Sequence, residues 1–293
     1  MIKVDQDEKL QKMLSNVGDL GFRRRVETML RWLGIQSNEK VLDCGCGEGF
    51  YSMVVSELYE DINIVAFDYN AELLKLAAGW AEKSKNIVFQ NGNIENGLPF
   101  ADESFHRVVF TEVLEHLDDD KKALEEVFRV VKPGGVVGLT VPNRNYPFLW
   151  DPINWLREHL GLGHFNPKNT ILGGVWSYDH KRLYSFDHIT ALSKEVGFEV
   201  AERVSLTHYC MPCNYLILRL GKIFSMMLPS SSAKRAMEKF EWKQECTPTK
   251  TLSSWFIHKA LQIFMLVDKL NNRVMNDTSR SSVSVGLKLR KPD

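Results

Sequence analysis

The run Val41 to Gly49, VLDCGCGEG, constrains this chain more than any other stretch. Two β-formers lead into an acid, and glycine then takes every second position, at Gly45, Gly47 and Gly49. An apolar segment of helical character follows from Phe50 to Leu58. The pattern predicts a strand, a tight turn and a helix start. Glycine in such a turn lets backbone approach a ligand, because the missing Cβ removes the atom that would clash. The dinucleotide fingerprint G-x-G-x-x-G does not fit, since Phe50 occupies its third glycine position counted from Gly45. The spacing that fits is D-x-G-x-G-x-G, with Asp43 at the carboxyl end of the strand, where open α/β sheets bind ligands.

The following hundred residues alternate strand and helix. Strands are expected at Ile62 to Phe67, Ile87 to Gln90, Phe105 to Phe110 and Val136 to Val141, with helices at Ala71 to Lys83 and Lys121 to Val130. Such alternation implies an α/β fold, a mainly parallel sheet with helices on both faces. Asp119 and Asp120 suit a helix start, and Lys132 to Gly135 should stop that helix before the next strand. Upstream, Val26, Met29, Leu30 and Leu33 recur at helical spacing in Arg23 to Leu33, with Gly34 as the stop. Arg23, Arg24, Arg25 and Arg31 lie among them and read as a solvated basic face, with a substrate or lipid contact as the alternative.

With Asp43 and its glycines go Asp68, nineteen residues past Gly49, and two later runs, NGNIENGLPFADESFHRVVFTEVLEHL and FRVVKPGGVVGLTVPN. Together they resemble the class I S-adenosylmethionine-dependent methyltransferases, methyltransferase type 11-like, with some similarity to ubiquinone-biosynthesis O-methyltransferases. The resemblance implies a Rossmann-like seven-stranded sheet and S-adenosylmethionine as cofactor. It places Gly45, Gly47 and Gly49 beside the methionine part and Asp43 near its ammonium. Asp68 would take the ribose hydroxyls, and Tyr69 would pack beside the adenine. Asn93 and Ile94 match the adenine-reading pair, with Asn93 where the family more often has Asp. Thr111 would lie under the methionine. The candidate base for an oxygen acceptor is His116, with a structural hydrogen-bonding role as its alternative.

Glu112, Glu115 and His116 spell E-x-x-E-H, similar to the divalent-metal triplet of the ubiquinone-type enzymes, and on a helix they would share one face. The acids serve equally as helix-start charges, and no metal is assigned. Cys210 and Cys213 form a C-x-x-C that Cys246 could complete, but a second pair at regular spacing is missing. The five cysteines are an odd number and read as reduced thiols, with Cys44 and Cys46 as small loop fillers.

Two segments interrupt the expected core, dividing it into 1–141, 182–207 and 282–293. The first insertion, 142–181, is rich in aromatics (Tyr146, Phe148, Trp150, Trp155, Trp176) and reads as a lid or substrate wall rather than extra packing. Its His159, His164, Asp179 and His180 receive no role. The second, 208–281, carries apolar stretches at Tyr215 to Leu228 and Leu252 to Leu270, interrupted by Arg219, Lys222, Lys259 and Lys269. These would pack on the core, form a homodimer, or lie in a membrane surface. The remaining core elements are a helix at Leu183 to Val196 and strands at Phe198 to Leu206 and Val283 to Leu289.

A formal net charge of zero gives no field toward nucleic acid, which is not expected as a partner. No apolar run is long enough to span a bilayer, so a cytoplasmic, possibly membrane-associated protein is expected. The expected activity is methylation, most simply of oxygen, on a small-molecule or lipid-linked acceptor such as a glycolipid or quinone precursor. Nitrogen or carbon acceptors, protein nitrogen included, and a non-catalytic cofactor-binding scaffold are the alternatives.

Overall fold

The computed structural model describes residues 4–15, 17–82, 84–165, 174–176, 179–212 and 264–293. Seven strands form one sheet: β1 (Lys40–Cys44), β2 (Asn63–Asp68), β3 (Ile87–Asn91), β4 (Phe105–Thr111), β5 (Val131–Pro142), β6 (Glu199–Leu206) and β7 (Ser284–Arg290). Their spatial order is β3-β2-β1-β4-β5-β7-β6, and β7 runs antiparallel to both of its neighbours. The helices are α1 (Val4–Leu14), α2 (Leu20–Leu33), α3 (Phe50–Leu58), α4 (Ala71–Trp80), α5 (Asp120–Val130), α6 (Pro152–His159) and α7 (Phe186–Val196). This is the expected Rossmann-like α/β architecture.

The period-two alternation of the strands feeds two cores. Leu42, Val108, Phe110 and Leu139 point to one face, where Leu124 and Val127 of α5 and Ile189 of α7 cover them. Val41, Ile64 and Val109 point to the other, against Val26, Met29 and Leu33 of α2 and Met53 and Val54 of α3. Burying each such side chain contributes about 1.5 to 3 kcal/mol, so both helical layers are held by the same mechanism.

Several boundaries depart from the sequence reading. Helix α1 was not expected; it buries Leu10, Met13 and Leu14 beside α3. Helix α2 starts at Leu20, three residues before the expected Arg23, because Asp19 accepts from the Phe22 amide at 3.0 Å. Helix α4 ends at Trp80 and not at Lys83. The Lys132 to Gly135 turn does not separate α5 from its strand: β5 begins at Val131, and the four residues form an irregularity between the pairs Phe105–Val131 and Arg107–Val136. Helix α7 starts only at Phe186, since the Ser185 hydroxyl caps it.

The solvated basic face holds for Arg31, which is exposed, and is corrected for Arg23, Arg24 and Arg25. Arg24 is 8% exposed and its guanidinium donates to the Asp268 carboxylate and carbonyl and to Asn272. Arg25 is ion-paired with Glu112 at 2.9 Å. Arg23 bonds Glu27 and Gln11, and Arg31 pairs with Asp7. The described part of the first insertion packs Tyr146, Val175 and Leu183 with Trp150, Trp155 and Trp176 into a small aromatic core of its own. The stretch Tyr215 to Leu228, most of Leu252 to Leu270, Cys213 and Cys246 lie outside the described residues.

Candidate functional site

The sheet reverses its winding between β1 and β4, so the loops leaving those strands open a crevice at their carboxyl ends. The β1 loop is hooked onto β2, because the amides of Gly45 and Cys46 both donate to the Phe67 carbonyl at 2.8 and 3.1 Å. Gly45, Gly47 and Gly49 have φ of 78°, 52° and 77°, a region in which a Cβ is strained. Each glycine has a second reason. A Cβ on Gly45 would meet Val113 Cγ2 at 2.3 Å, and one on Gly49 would press on Ala77 of α4 at 3.0 Å. A Cβ on Gly47 meets nothing within 4 Å and would project into open space.

That space is a cavity of about 240 Å³ lined by Gly45, Gly47, Asp68, Tyr69, Leu73, Asn93, Ile94, Glu112, Val113, His116 and Leu117, among others. Asp68, at the end of β2, accepts from the Gly47 amide through one carboxylate oxygen and from the Asn70 amide through the other, both at 2.8 Å. Tyr69 is exposed at the rim. Asn93 caps the short 3-10 turn at Ile94–Asn96 through its side-chain oxygen on the Glu95 amide, while its NH2 donates to the Glu95 carboxylate at 3.3 Å.

Three expected residues do not line the cavity. Asp43 stands behind the loop, 2% exposed, accepting from the Ser52 amide at 3.0 Å and the Ser52 hydroxyl at 2.7 Å. Burial pushes its carboxyl up to about 6, against the pull of those two hydrogen bonds. Gly49 serves as the N-cap of α3. Thr111 lies opposite Thr140 in the β4–β5 register, one residue before the wall begins at Glu112.

After β4 the backbone at Glu112 takes a left-handed φ of 54°, held by its amide donating to the Thr140 carbonyl at 2.9 Å. A 3-10 turn follows at Leu114–His116, so Glu112, Glu115 and His116 do not share the face of an α-helix. Glu112 turns to Arg25, while Glu115 and His116 meet His180 of the first insertion, with one ligand atom from each within 4.8 Å of the others. Among the described residues, those three form the group that could hold a cation. Glu115 is fully buried with neither carboxylate oxygen hydrogen-bonded, and burial together with the charge of Glu112 raises its pKa well above the carboxylate range. His116 Nδ1 lies 3.2 Å from a carboxylate oxygen of Asp179.

A second cavity, about 160 Å³, opens on the other side of Glu112. Its walls come from α2 (Gly21, Phe22, Arg25), the end of β5 (Pro142), the first insertion (Trp150, Val175, His180) and the β6 and β7 ends (Leu206, Thr207, Ser284). Glu112 lines both cavities. The sequence reading named Glu112 only as a metal-ligand candidate and missed its pairing with Arg25 between two cavities, since only the tertiary fold brings α2 to the β4 loop.

The family model described as "Methyltransferase domain" matches residues 35–182, just over half of the chain. The demethylmenaquinone methyltransferase of Lactiplantibacillus plantarum is 31% identical over 203 residues, 64% of this chain and 81% of that protein. The ubiquinone/menaquinone biosynthesis C-methyltransferase UbiE of Haemophilus ducreyi is 35% identical over 202 residues, 65% of this chain and 74% of that protein. The chain belongs to the S-adenosylmethionine-dependent methyltransferases.

A relative from Mycolicibacterium smegmatis, a probable S-adenosylmethionine-dependent methyltransferase, is 27% identical over 187 residues that span 62% of its length. Among solved structures, phosphoethanolamine N-methyltransferase 2 of Haemonchus contortus, in complex with S-adenosyl-L-methionine, superposes with a TM-score of 0.53 at 17% identity, covering 92% of this chain and 52% of that one. The [4+2]-cyclase SpnF superposes with a TM-score of 0.54 at 16% identity, covering 92% and 82%. Both likenesses concern the fold alone. The family's cofactor fits the first cavity on this chain's own features: an open cradle over Gly47, a carboxylate at the end of β2, and apolar walls at Leu73, Ile94 and Leu117.

Proposed function

We propose that the chain transfers the methyl group of S-adenosylmethionine to an oxygen of a small-molecule or lipid-linked acceptor held in the second cavity. The observation that carries this reading is the meeting of two cavities at a single side chain, Glu112. The cofactor supplies a methyl group on a sulfonium whose leaving group is a neutral thioether and needs no acid. The protein therefore works by position. The glycine loop, Asp68, Tyr69, Asn93 and Ile94 would fix the donor, and Phe22, Trp150 and Val175 would fix the acceptor, an arrangement able to remove about 7 to 11 kcal/mol of barrier. Asp43 would place negative charge behind the loop near the donor's ammonium. An oxygen acceptor must also lose a proton, and two groups stand near: His116 on the donor side and Glu112 between the cavities.

The exposed apolar side chains Leu149, Ile153, Leu156 and Leu160 flank Trp150, which supports an amphiphilic acceptor. No helix among the described residues is long and apolar enough to cross a membrane. A second reading, transfer to carbon of a quinone-like ring, is favoured by the name of the 35% identical relative.

The test is transfer of radiolabelled methyl from S-adenosylmethionine into a native cell extract, followed by partition of the label. Label in the organic phase that Gly47→Arg abolishes is expected. Label confined to protein removes the small-molecule acceptor, and no label despite cofactor binding removes catalysis.

A further inference from the structure

The second cavity carries a more specific message about what enters it. Among its described lining residues, Arg25 is the one Lys or Arg side chain, and Glu112 already neutralises it at 2.9 Å. Asp19 adds an acid. A carboxylate or phosphate acceptor would find no unpaired positive charge there. The ion pair is nonetheless incomplete: Arg25 Nε and Glu112 Oε1 are both buried without a hydrogen-bond partner, as is Thr207 Oγ1. Leaving such groups unmet costs about 1 to 3 kcal/mol each. Neither Arg25 Nε nor Glu112 Oε1 has surface open to the cavity as the side chains stand; a turn of the two side chains on entry would let a hydroxyl accept from Arg25 Nε–H while donating to Glu112 Oε1. An ammonium has no lone pair for Arg25.

Phe22, Trp150, Val175 and Leu206 supply apolar wall, beside the hydroxyl side chains of Thr207 and Ser284. The volume is close to that of a cavity of about 150 Å³ known to hold benzene, so one ring fits behind the hydroxyl. Glu112 is held by a left-handed backbone, a strained state that persists at functional positions when its surroundings enforce it. His116 lines the donor cavity and not this one.

We infer that the second cavity takes a neutral hydroxyl on a ring-sized apolar body, and that Glu112 is the group that receives its proton. This rests on the methyl-transfer reading. In the step, the hydroxyl oxygen bonds to the methyl carbon and the carbon–sulfur bond breaks with its electron pair going to sulfur. The hydroxyl proton passes to Glu112 Oε1.

Two readouts test it. The first is binding of phenol, with benzoate as the anionic control, by saturation-transfer NMR on protein saturated with S-adenosylhomocysteine. Phenol should bind and benzoate should not, and Glu112→Gln should weaken phenol about tenfold, the loss of one hydrogen bond to a charged group. The second is the labelled product from cell extract. Its methyl should survive alkali, which cleaves esters, and be released by hydriodic acid, which cleaves ethers. Glu112→Gln should lower its formation about a hundredfold or more at saturating S-adenosylmethionine, and Glu112→Asp should recover part of it. Benzoate binding better than phenol, an alkali-labile or hydriodic-acid-resistant label, or an unimpaired Glu112→Gln enzyme would each overturn the inference and leave methyl transfer standing. Absence of any label from the wild-type protein sinks the methyl-transfer reading and this inference with it.

Discussion

The Gly47 amide donates to the Asp68 carboxylate over 2.8 Å, so the loop after β1 and the end of β2 are one unit. Asp68 holds the Asn70 amide with its other oxygen at the same distance. Asp68→Asn keeps one acceptor oxygen and sets an NH2 against a backbone N–H, leaving one amide unmet. Hydrogen bonds to a charged group are worth about 1.5 to 3 kcal/mol, so affinity for S-adenosylhomocysteine should fall about 10- to 100-fold by calorimetry. Unchanged affinity would show that this carboxylate neither shapes the loop nor meets the ligand.

Gly45 and Gly47 should differ when each is changed to Ala. Both pay for a Cβ at positive φ, about 1 kcal/mol or more. Only Gly45 adds a clash, since its Cβ would lie 2.3 Å from Val113 Cγ2. Gly45→Ala should lower stability by about 2 to 3 kcal/mol in urea unfolding, and Val113→Ala in the same chain should return part of that loss. Gly47→Ala should be milder for stability but harsher for cofactor affinity, because its Cβ enters the cradle. Equal losses at the two positions would contradict the geometry.

The loop was legible in the sequence because alternate glycines behind an acid leave few backbone solutions, and strand and helix positions followed from period-two and helical spacing. Helix α1 was not, since a window as charged as VDQDEKLQKML shows its three buried residues only once α3 is beside it. Arg24 and Arg25 read as solvent-facing because their partners are far away in sequence: Asp268, 244 residues on, and Glu112. For the same reason Glu112 looked like a helix-start acid or a metal ligand. Its left-handed backbone turns it instead toward α2 and the gap between the cavities.

Arg24 gives a stability test of that long-range packing. Its guanidinium makes bonds of 2.7 Å to the Asp268 carboxylate, the Asp268 carbonyl and the Asn272 side chain, and its own exposure is 8%. Arg24→Met fills similar space but takes the ion-pair partner from Asp268, whose side chain is 21% exposed and keeps the Asn271 side-chain amide, and should cost about 1 to 3 kcal/mol in urea unfolding. Asp268→Asn added to Arg24→Met should recover part of the loss, since no part-buried charge is then left without its ion-pair partner. A loss under about 0.5 kcal/mol, typical of a surface substitution, would return Arg24 to solvent.

Asp43 links cofactor binding and stability to pH with opposite signs. Burial raises its folded pKa to about 6, above its ordinary value of 3.8, with the charge of Asp68 adding to burial and the Ser52 bonds opposing it. The folded chain therefore holds this proton more tightly than the unfolded one. Its contribution to stability is full below about pH 4 and is lost as pH rises through about 6, a change of about 3 kcal/mol for two pKa units. Asp43→Asn, which still accepts from Ser52, should remove that slope, so the variant gains on the wild type as pH rises from 4 to 7 in urea unfolding. A positively charged ligand group in front of the loop pulls the other way, since it favours the ionised carboxylate. S-adenosylmethionine affinity of the wild type should rise through pH 6, with proton uptake by buffer showing release on binding below that pH, and Asp43→Asn should be flat. Parallel pH profiles for variant and wild type in both measurements would mean that Asp43 is ionised throughout and serves only to hold Ser52.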